Sequence, residues 1–439
     1  MTTILAFIFV LSILVIVHEF GHYSVAKFFG IGVERFSVGM PPRLFGVQIG
    51  ETDYCISAIP FGGYVKLTGQ SDFSDVGEED FGEKDYRRKP APAKIAVLAA
   101  GSIMNLITAV VIFFFVYWIT GVSEISNRIG FVEPNTIASQ LGLKMGDVIV
   151  GLNGKKVDGL DDVFLSLYTD KGTDLTVKNE SGERTVHIPR RLDEKEEFGI
   201  HPYYEAKIKS VLPDSPAEKA GLKAGDVIAA IDGEPVLGWE HMRSIVETNP
   251  DTDKTFTIER EGRKVQLQVH IGHAVNEKPG GARRTIGRMG YFLDVPSRKV
   301  GMVESASMAY QNTKFLAVHT FDFFIKLITG RMSLKLIGGP VMIAQLAGDS
   351  AHGGFMSLLG FTAFISVNLG VLNLLPFPVF DGGYIVILLV ESLFRRKLSE
   401  KARMAFQQAG TLLLLLLMMY ITFNDIMRFD FIGQLFGKN

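Results

Sequence analysis

A cluster of three ionisable residues lies inside the first apolar stretch of the chain. Residues 3–29 are apolar almost throughout, but they contain His18, Glu19 and His22 within the sequence HEFGH. The stretch can cross a bilayer, since a membrane helix needs about 20 residues. It lacks a preceding basic residue and a following small-residue cleavage site, so we expect a membrane span rather than a signal peptide. Ionisable groups in apolar surroundings are costly and indicate a functional site.

Three further stretches have the apolar character of membrane spans. They cover residues 95–120, 355–392 with an interruption, and 409–424. Apolar residues make up 47% of the 439-residue chain and charged residues 21%, which indicates a mixture of membrane and soluble parts. We therefore expect a multi-pass α-helical membrane protein with four transmembrane segments and the lipid bilayer as a partner.

The net charge and the cysteine content limit which partners and which metal ligands the chain is expected to use. The net charge of -2 gives no indication of nucleic-acid binding, and we expect no nucleic-acid partner. The single cysteine, Cys55, cannot form an internal disulfide. A metal site in this chain would therefore use histidine and carboxylate ligands.

The loop between the first two spans predicts strands. Residues 33–67 contain short alternating runs broken by Gly and Pro, and we expect short strands in a membrane-associated β segment. Basic residues concentrate in this loop and in the loop 393–408. The positive-inside rule then places both loops in the cytoplasm, and residues 121–354 and both termini on the outer side.

The insert between the second and third spans contains an internal repeat. LGLKMGDVIVGLNGKKV begins at Leu141 and AGLKAGDVIAAIDGEPV at Ala220. Each copy predicts a helix end, a Gly-Asp turn, an apolar strand and a hairpin turn. The copies resemble bacterial, protease-associated PDZ domains; the alternative is a generic small β-rich module. Candidate peptide-binding loops are residues 128–131 in the first copy and 198–200 in the second, and ligand capture by either stays open.

These features divide the chain into nine segments. They are a first transmembrane helix (1–30), the β segment and cytoplasmic loop (31–94), a second helix (95–121), PDZ domain 1 (122–195), PDZ domain 2 (196–273), a linker (274–354) with an amphipathic helix at 301–328, the interrupted third segment (355–392), a cytoplasmic loop (393–408), and a fourth helix with a tail (409–439). His319 in the linker is expected to be packed or solvated rather than a ligand.

The HEFGH sequence predicts part of a zinc site. His18 and His22 are four residues apart, so a helix presents both imidazoles on one face. Glu19 lies next to the first ligand, and its carboxylate can reach a water on the metal and act as general base and acid. The alternative, a salt-bridged surface cluster, is weaker in an apolar sequence.

The interrupted third span supplies a third ligand. Pro376 and Pro378 in NLLPFPVFDGG break a helix at membrane depth, which is tolerated where the backbone is buried or lines a polar cavity. Asp381 is the only carboxylate between Asp349 and Glu391, and we predict that it completes the zinc site. Asn373 could hydrogen-bond a substrate carbonyl or cap the broken helix.

The combination of these motifs resembles the site-2 protease family. HEFGH, NLLPFPVFDGG, the tandem PDZ-like repeat, FGGYVKL (61–67) and AGSIMN (100–105) all match, over nearly the whole chain. Ser102 stands where proline is usual, and Phe380 where leucine is usual. The resemblance implies a Zn2+-dependent protease of the bacterial inner membrane with its PDZ pair in the periplasm. Asn373, Pro376 and Pro378 would then contact substrate.

The resemblance also implies substrates. It implies regulated intramembrane proteolysis of a single-span anti-sigma factor already trimmed on its outer side, with remnant signal peptides as a second class and the PDZ pair as a size filter. Two other functions are weighed against it. A membrane scaffold would leave the ionisable cluster unexplained, and a zinc transporter needs neither Glu19 nor peptide-binding domains. The oligomeric state is not indicated by the sequence.

Overall fold

The computed structural model describes most of the chain in two compact units. The described residues are 2–69, 82–123, 125–157, 159–160, 163–164, 166–167, 172–190, 192, 198–277, 283–332, 334, 337–396 and 398–428. The first unit comprises Met1–Thr120 and Val300–Asn439, and the second comprises Gly121–Lys299.

The described helices and strands follow one another in a simple order. The helices are α1 (Thr2–Phe28), α2 (Ala91–Thr120), α3 (Ile137–Gln140), α4 (Pro216–Lys219), α5 (Trp239–Thr248), α6 (Met302–Ile328), α7 (Pro340–His352), α8 (Phe355–Leu374), α9 (Asp381–Phe394) and α10 (Glu400–Arg428), with short 3-10 turns at Gly82–Lys84 and Tyr86–Arg88. The strands are β1 (Val33–Ile49), β2 (Thr52–Leu67), β3 (Val122–Ser123), β4 (Ile129–Val132), β5 (Val148–Leu152), β6 (Lys155–Lys156), β7 (Thr173–Asn179), β8 (Gly182–Ile188), β9 (Ile200–Pro202), β10 (Ile208–Val211), β11 (Val227–Ile231), β12 (Glu234–Pro235), β13 (Thr252–Arg260), β14 (Arg263–Glu277), β15 (Arg283–Arg288), β16 (Tyr291–Leu293) and β17 (Ser297–Arg298).

Four helices of the described chain are long and apolar enough to cross a membrane. They are α1, α2, α8 and the part Lys401–Ile426 of α10. They correspond to the four predicted spans, and the interrupted third span is divided into α8 and α9. Because α9 has only 14 residues, it is too short to cross a bilayer by itself.

The helices of the first unit pack around α1 and α2. α1 contacts α2 and α7, while α2 also contacts α6, α8 and α9. Apolar side chains fill these contacts: Ala6, Val10, Leu14, Ala347 and Leu358 in one cluster, and Ala109, Phe113, Ala309, Ala363, Val367 and Val371 in another. The predicted amphipathic helix at 301–328 is α6, and its His319 bonds the Phe315 carbonyl.

A buried carboxylate holds α7 in place. Asp425 of α10 has no exposed surface, and it accepts hydrogen bonds from the backbone N–H groups of Gly339 (3.2 Å) and Met342 (3.0 Å). It therefore caps the first turn of α7 from another helix, where a negative charge also complements the helix dipole. Since α7 packs on α1, this cap supports the helix that carries HEFGH.

The predicted short strands are in fact one long hairpin. β1 and β2 have 17 and 16 residues and pair antiparallel from Val33↔Leu67 to Ile49↔Thr52. The glycines and prolines that suggested strand ends instead lie at register shifts, for example between Val38 and Met40. Bulges let a two-stranded ribbon continue past such residues, which is why the sequence overestimated the number of breaks.

The repeat in the second unit folds as the sequence predicts. Gly142 and Gly221 end short helices with φ of 70° and 82°, and the hairpin turns have positive φ at both central residues, Asn153-Gly154 and Asp232-Gly233. Two-residue turns of this kind match the twist of a hairpin. The aspartates of the Gly-Asp turns, Asp147 and Asp226, each accept a hydrogen bond from the backbone N–H three residues earlier (3.1 and 2.8 Å).

The strand that closes each copy follows its repeat in the chain. β9 pairs with β4, and Phe198 and Ile200 lie in the first copy's core, so residues 198–200 belong to the first copy rather than the second. β16 pairs with β10 and has the same place in the second copy. The predicted division after 195 falls outside the described residues, and the one after 273 lies within β14. The repeated sequence covers only the middle of each copy, which explains the misassignment.

Candidate functional site

The two histidines of α1 face each other across one helical turn. The Nε2 atoms of His18 and His22 are 3.2 Å apart, and both side chains are 13% exposed. α1 continues through the site without interruption, from Thr2 to Phe28. The spacing predicted from HEFGH is therefore realised in the structure.

Asp381 joins the histidines from the first residue of α9. Its Oδ2 atom lies 3.3 Å from His18 Nε2 and 3.6 Å from His22 Nε2. The next residues, Gly382 and Gly383, pack against the carbonyl groups of Leu374, Leu375 and Phe377, where an added Cβ would clash. The two glycines thus let α9 fold back closely on the end of α8, and this fold brings the carboxylate to α1.

These three atoms have the geometry of a metal site. A metal bound tetrahedrally at about 2.0–2.1 Å holds its ligand atoms about 3.3 Å apart, and the observed edges are 3.2, 3.3 and 3.6 Å. Asp381 Oδ2 is buried and receives no hydrogen bond within the described residues. This is also the sole cluster of three or more potential ligands in the described part of the chain. Two imidazoles and one carboxylate suit zinc, with a fourth position left for water.

The second helix orients both histidines. His22 Nδ1 lies 2.8 Å from the Val97 carbonyl, and His18 Nδ1 lies 3.3 Å from the Asn105 side-chain amide. Between them, Gly101 faces both rings. Asn105 lies in the AGSIMN segment that resembles the family, but no local sequence pattern predicts its contact with His18.

Glu19 lies between the metal cluster and the hairpin. Gly63 of β2 approaches it so closely that an added Cβ would be 3.1 Å from Glu19 Cγ. The part of β2 around Gly63 thus lies directly beside Glu19, the residue predicted to act as general base. An extended peptide laid along this part of β2 would pass close to Glu19.

The proline-containing break separates α8 from α9. Asn373 is in the last turn of α8, and its side chain makes no hydrogen bond to the described residues. Pro376 is exposed and Pro378 is packed against Gly410 of α10, where an added Cβ would overlap the proline ring. The structure therefore unites His18, His22 and Asp381, and places Asn373, Pro376 and Pro378 on the segment that leads to Asp381.

The contact at Gly101 leads to a first prediction. A Cβ at this position would lie 2.6 Å from His22 Nε2 and 2.7 Å from His18 Cε1, inside van der Waals contact. We expect Gly101→Ala to displace the rings and lower the zinc content of the purified protein, measured by elemental analysis. The matched control is Gly360→Ala in α8, because an added Cβ there meets nothing within 4 Å. Full zinc content in Gly101→Ala would show that the rings do not depend on this contact.

Comparison with known proteins agrees with this geometry. The model of peptidase family M50 matches residues 6–417. A Neisseria meningitidis protein whose name describes a zinc metalloprotease is 35% identical over 98% of this chain and 99% of its own length. The regulator of sigma-E protease RseP of Escherichia coli is 33% identical over 96% of this chain and 98% of its own. The chain therefore belongs to peptidase family M50, the family of site-2 zinc metalloproteases.

Proposed function

We propose that this protein cuts other proteins within the membrane, with His18, His22 and Asp381 holding zinc and Glu19 moving the proton. The observation that carries the proposal is the triangle of ligand atoms. Two of them, and Glu19, lie on α1, which is apolar enough to span a bilayer, and the third lies on α9. Bound zinc would supply Lewis acidity, which makes water more acidic and polarises a carbonyl. Glu19 would take a proton from the attacking water and deliver it to the nitrogen of the leaving amine.

A substrate helix must unwind before it can be cut. Its carbonyl groups are occupied by internal hydrogen bonds, and side chains shield them. We place the unwound segment along β2, where it would add to the hairpin as a further strand next to Glu19. Asn373, Pro376 and Pro378 would contact the same segment from the α8–α9 break, with the free Asn373 amide donating to a substrate carbonyl.

The substrates we propose are single-span membrane proteins. The substrate class we propose is an anti-sigma factor that an earlier cleavage has trimmed on its outer side. The name of the Escherichia coli relative, regulator of sigma-E protease, supports a role in the control of a sigma factor. Remnant signal peptides are a second class, because they too are single apolar helices without a large outer domain.

Replacing Glu19 separates catalysis from metal binding. We expect Glu19→Gln to keep its zinc and to lose at least about 100-fold in cleavage of a single-span model substrate, since the amide cannot accept the proton. His18→Ala, His22→Ala and Asp381→Ala should each lose both zinc and cleavage. Zinc content by elemental analysis and cleavage on denaturing gels give the two readouts.

The same series distinguishes the alternative functions. If the protein were a transporter or a scaffold, Glu19→Gln would not impair its function. Neither the wild type nor any variant would then cleave the substrate. Full zinc occupancy in Asp381→Ala would remove Asp381 from the metal site. Undiminished cleavage by Glu19→Gln would assign the proton transfer to another group.

We further propose that the second unit and both termini lie in the periplasm. The charge asymmetry of the loops supports this orientation in the bacterial inner membrane. A reporter can be inserted in the exposed turn at Glu180–Ser181, between β7 and β8, and another at exposed Glu83. Alkaline phosphatase should be active at the first position and inactive at the second. The reverse pattern would overturn the orientation.

We also propose that the two copies in the second unit are PDZ domains that exclude untrimmed substrates by their size. The whole unit is a single insertion between α2 and α6, and none of the proposed ligands lies in it. Its ends meet, because β3 and β17 pair with Ser123 opposite Ser297. A folded insertion attached at adjacent points can be removed without stretching the chain on either side.

Deleting the insertion tests the filter. The test variant lacks residues 124–296, and a short Gly-Ser linker joins Ser123 to Ser297. The linker has to bridge only about 5.5 Å or less, which is the Cα separation of directly paired residues in antiparallel strands. We expect the variant to retain zinc and to cleave both the trimmed substrate and the untrimmed one, which the intact protein rejects. Continued rejection of the untrimmed substrate would contradict the filter.

Peptide capture is the competing role of the insertion. Under capture, the deletion would weaken cleavage of the trimmed substrate, and Phe131→Ala should reproduce the effect. Phe131 is suitable because it lines a cleft of about 250 Å³ together with His201 and Arg243. Gly130 is not a suitable site for this test, because a Cβ there would lie 2.6 Å from the Tyr203 backbone and disturb the β4–β9 pairing.

A further inference from the structure

The two histidines of the site depend on α2 for their hydrogen bonds at Nδ1. A carbonyl oxygen can only accept, so the 2.8 Å contact between His22 Nδ1 and the Val97 carbonyl places a proton on Nδ1. The neutral ring then has its lone pair on Nε2, which faces Asp381 Oδ2. His22 is therefore held in the tautomer that a metal ligand through Nε2 requires.

The partner of His18 is an amide, which can donate or accept. The amide nitrogen of Asn105 lies 3.3 Å from His18 Nδ1, while the amide oxygen is buried without a hydrogen-bond partner among the described residues. Donation from this nitrogen would require the proton of His18 to be on Nε2. That proton would point at the cluster formed with His22 and Asp381 and would block the lone pair a metal needs.

Half a turn of the amide reverses the direction of this hydrogen bond. An asparagine side chain has nearly the same shape after this rotation, which exchanges oxygen and nitrogen. The oxygen then accepts from His18 Nδ1–H, so the orphaned acceptor is satisfied and the Nε2 lone pair faces the cluster. The rotated form is therefore the one that is compatible with a metal bound at His18 Nε2.

The position of Asn105 suits this role. It has no exposed surface, and its backbone oxygen accepts a hydrogen bond of 2.8 Å from Ser366 of α8. One turn earlier on α2, Gly101 packs closely against both rings. The side chain is thus fixed between α1 and α8.

We infer that Asn105 is a positioning residue whose side-chain carbonyl holds His18 in the Nδ1–H tautomer and so prepares its Nε2 for zinc. The inference rests on the proposed zinc site. It predicts that the acceptor at position 105 matters, and that the amide N–H groups do not.

Two nearly isosteric variants separate acceptor from donor. Asn105→Leu removes both, and we expect zinc affinity to fall by about 10- to 100-fold, as is typical when the partner of a metal-bound histidine is lost. Asn105→Asp keeps an acceptor and removes the donor, and we expect it to retain most of the affinity. Affinity is measured by competition with a chromophoric chelator on the purified full-length protein in detergent.

Ser366→Ala provides the matched control. It removes the bond to the Asn105 backbone from the same helix contact but leaves the side chain in place. We expect its zinc affinity to be unchanged. A loss equal to that of Asn105→Leu would assign the effect to helix packing and overturn the inference.

Other outcomes also decide the question. Equal losses in Asn105→Leu and Asn105→Asp, or no loss in Asn105→Leu, would overturn the inference. Wild-type protein without zinc, or full zinc in His22→Ala, would instead overturn the proposed metal site.

A spectroscopic measurement covers the case in which Asn105→Asp does not fold. Nitrogen-15 labelling of histidine in the full-length, chelator-treated wild type reports which ring nitrogen carries the proton, with His18 assigned by comparison with His18→Ala. We expect the proton on Nδ1 of His18, and a proton on Nε2 would overturn the inference.

Discussion

The close crossing of α1 and α2 is the contact on which the site depends. At Gly21, an added Cβ would lie 2.9 Å from the Gly101 Cα and closer still to the Ala100 carbonyl oxygen. Such contacts between small residues are the usual way for membrane helices to approach closely, because lipid provides no hydrophobic force to drive them together. The approach puts the backbone and Asn105 of α2 against the rings of His18 and His22. Without it, the two imidazoles would lose the partners at Nδ1 that orient them.

The break between α8 and α9 adds the carboxylate at a cost that the rest of the fold offsets. Pro376 and Pro378 cannot donate backbone hydrogen bonds, and a broken helix in a membrane must find other partners for its backbone. Here the break is stabilised by turn hydrogen bonds, for example from Phe380 N–H to the Phe377 carbonyl at 3.0 Å, and by the packing of Pro378 on Gly410. Because of the break, Asp381 is the first residue of a new helix and lies beside the histidines of HEFGH.

The second unit follows different rules, because it is stabilised by ordinary hydrophobic cores. Its two copies each bury a separate set of side chains around a small sheet, and strand pairing between β3 and β17 closes the unit at its base. The insertion contributes none of the three proposed metal ligands, which lie on α1 and α9. A module of this kind can change the range of substrates without altering the chemistry of the site, since none of the proposed catalytic groups belongs to it.

Local patterns in the sequence were sufficient for much of this protein. The four apolar spans, the paired histidines one turn apart, the carboxylate after a proline break and the turns of the repeat each depend on a few neighbouring residues, so their physical signal is present in the chain itself. Three features were decided by tertiary structure. The short runs of residues 33–67 form one hairpin because pairing continues past bulges. β9 belongs to the first copy because it pairs with β4, about 70 residues away. Asn105 contacts His18 because two glycines let α1 and α2 cross closely. Each of these contacts joins segments that are distant in sequence, and no local pattern records which distant segment will be the partner.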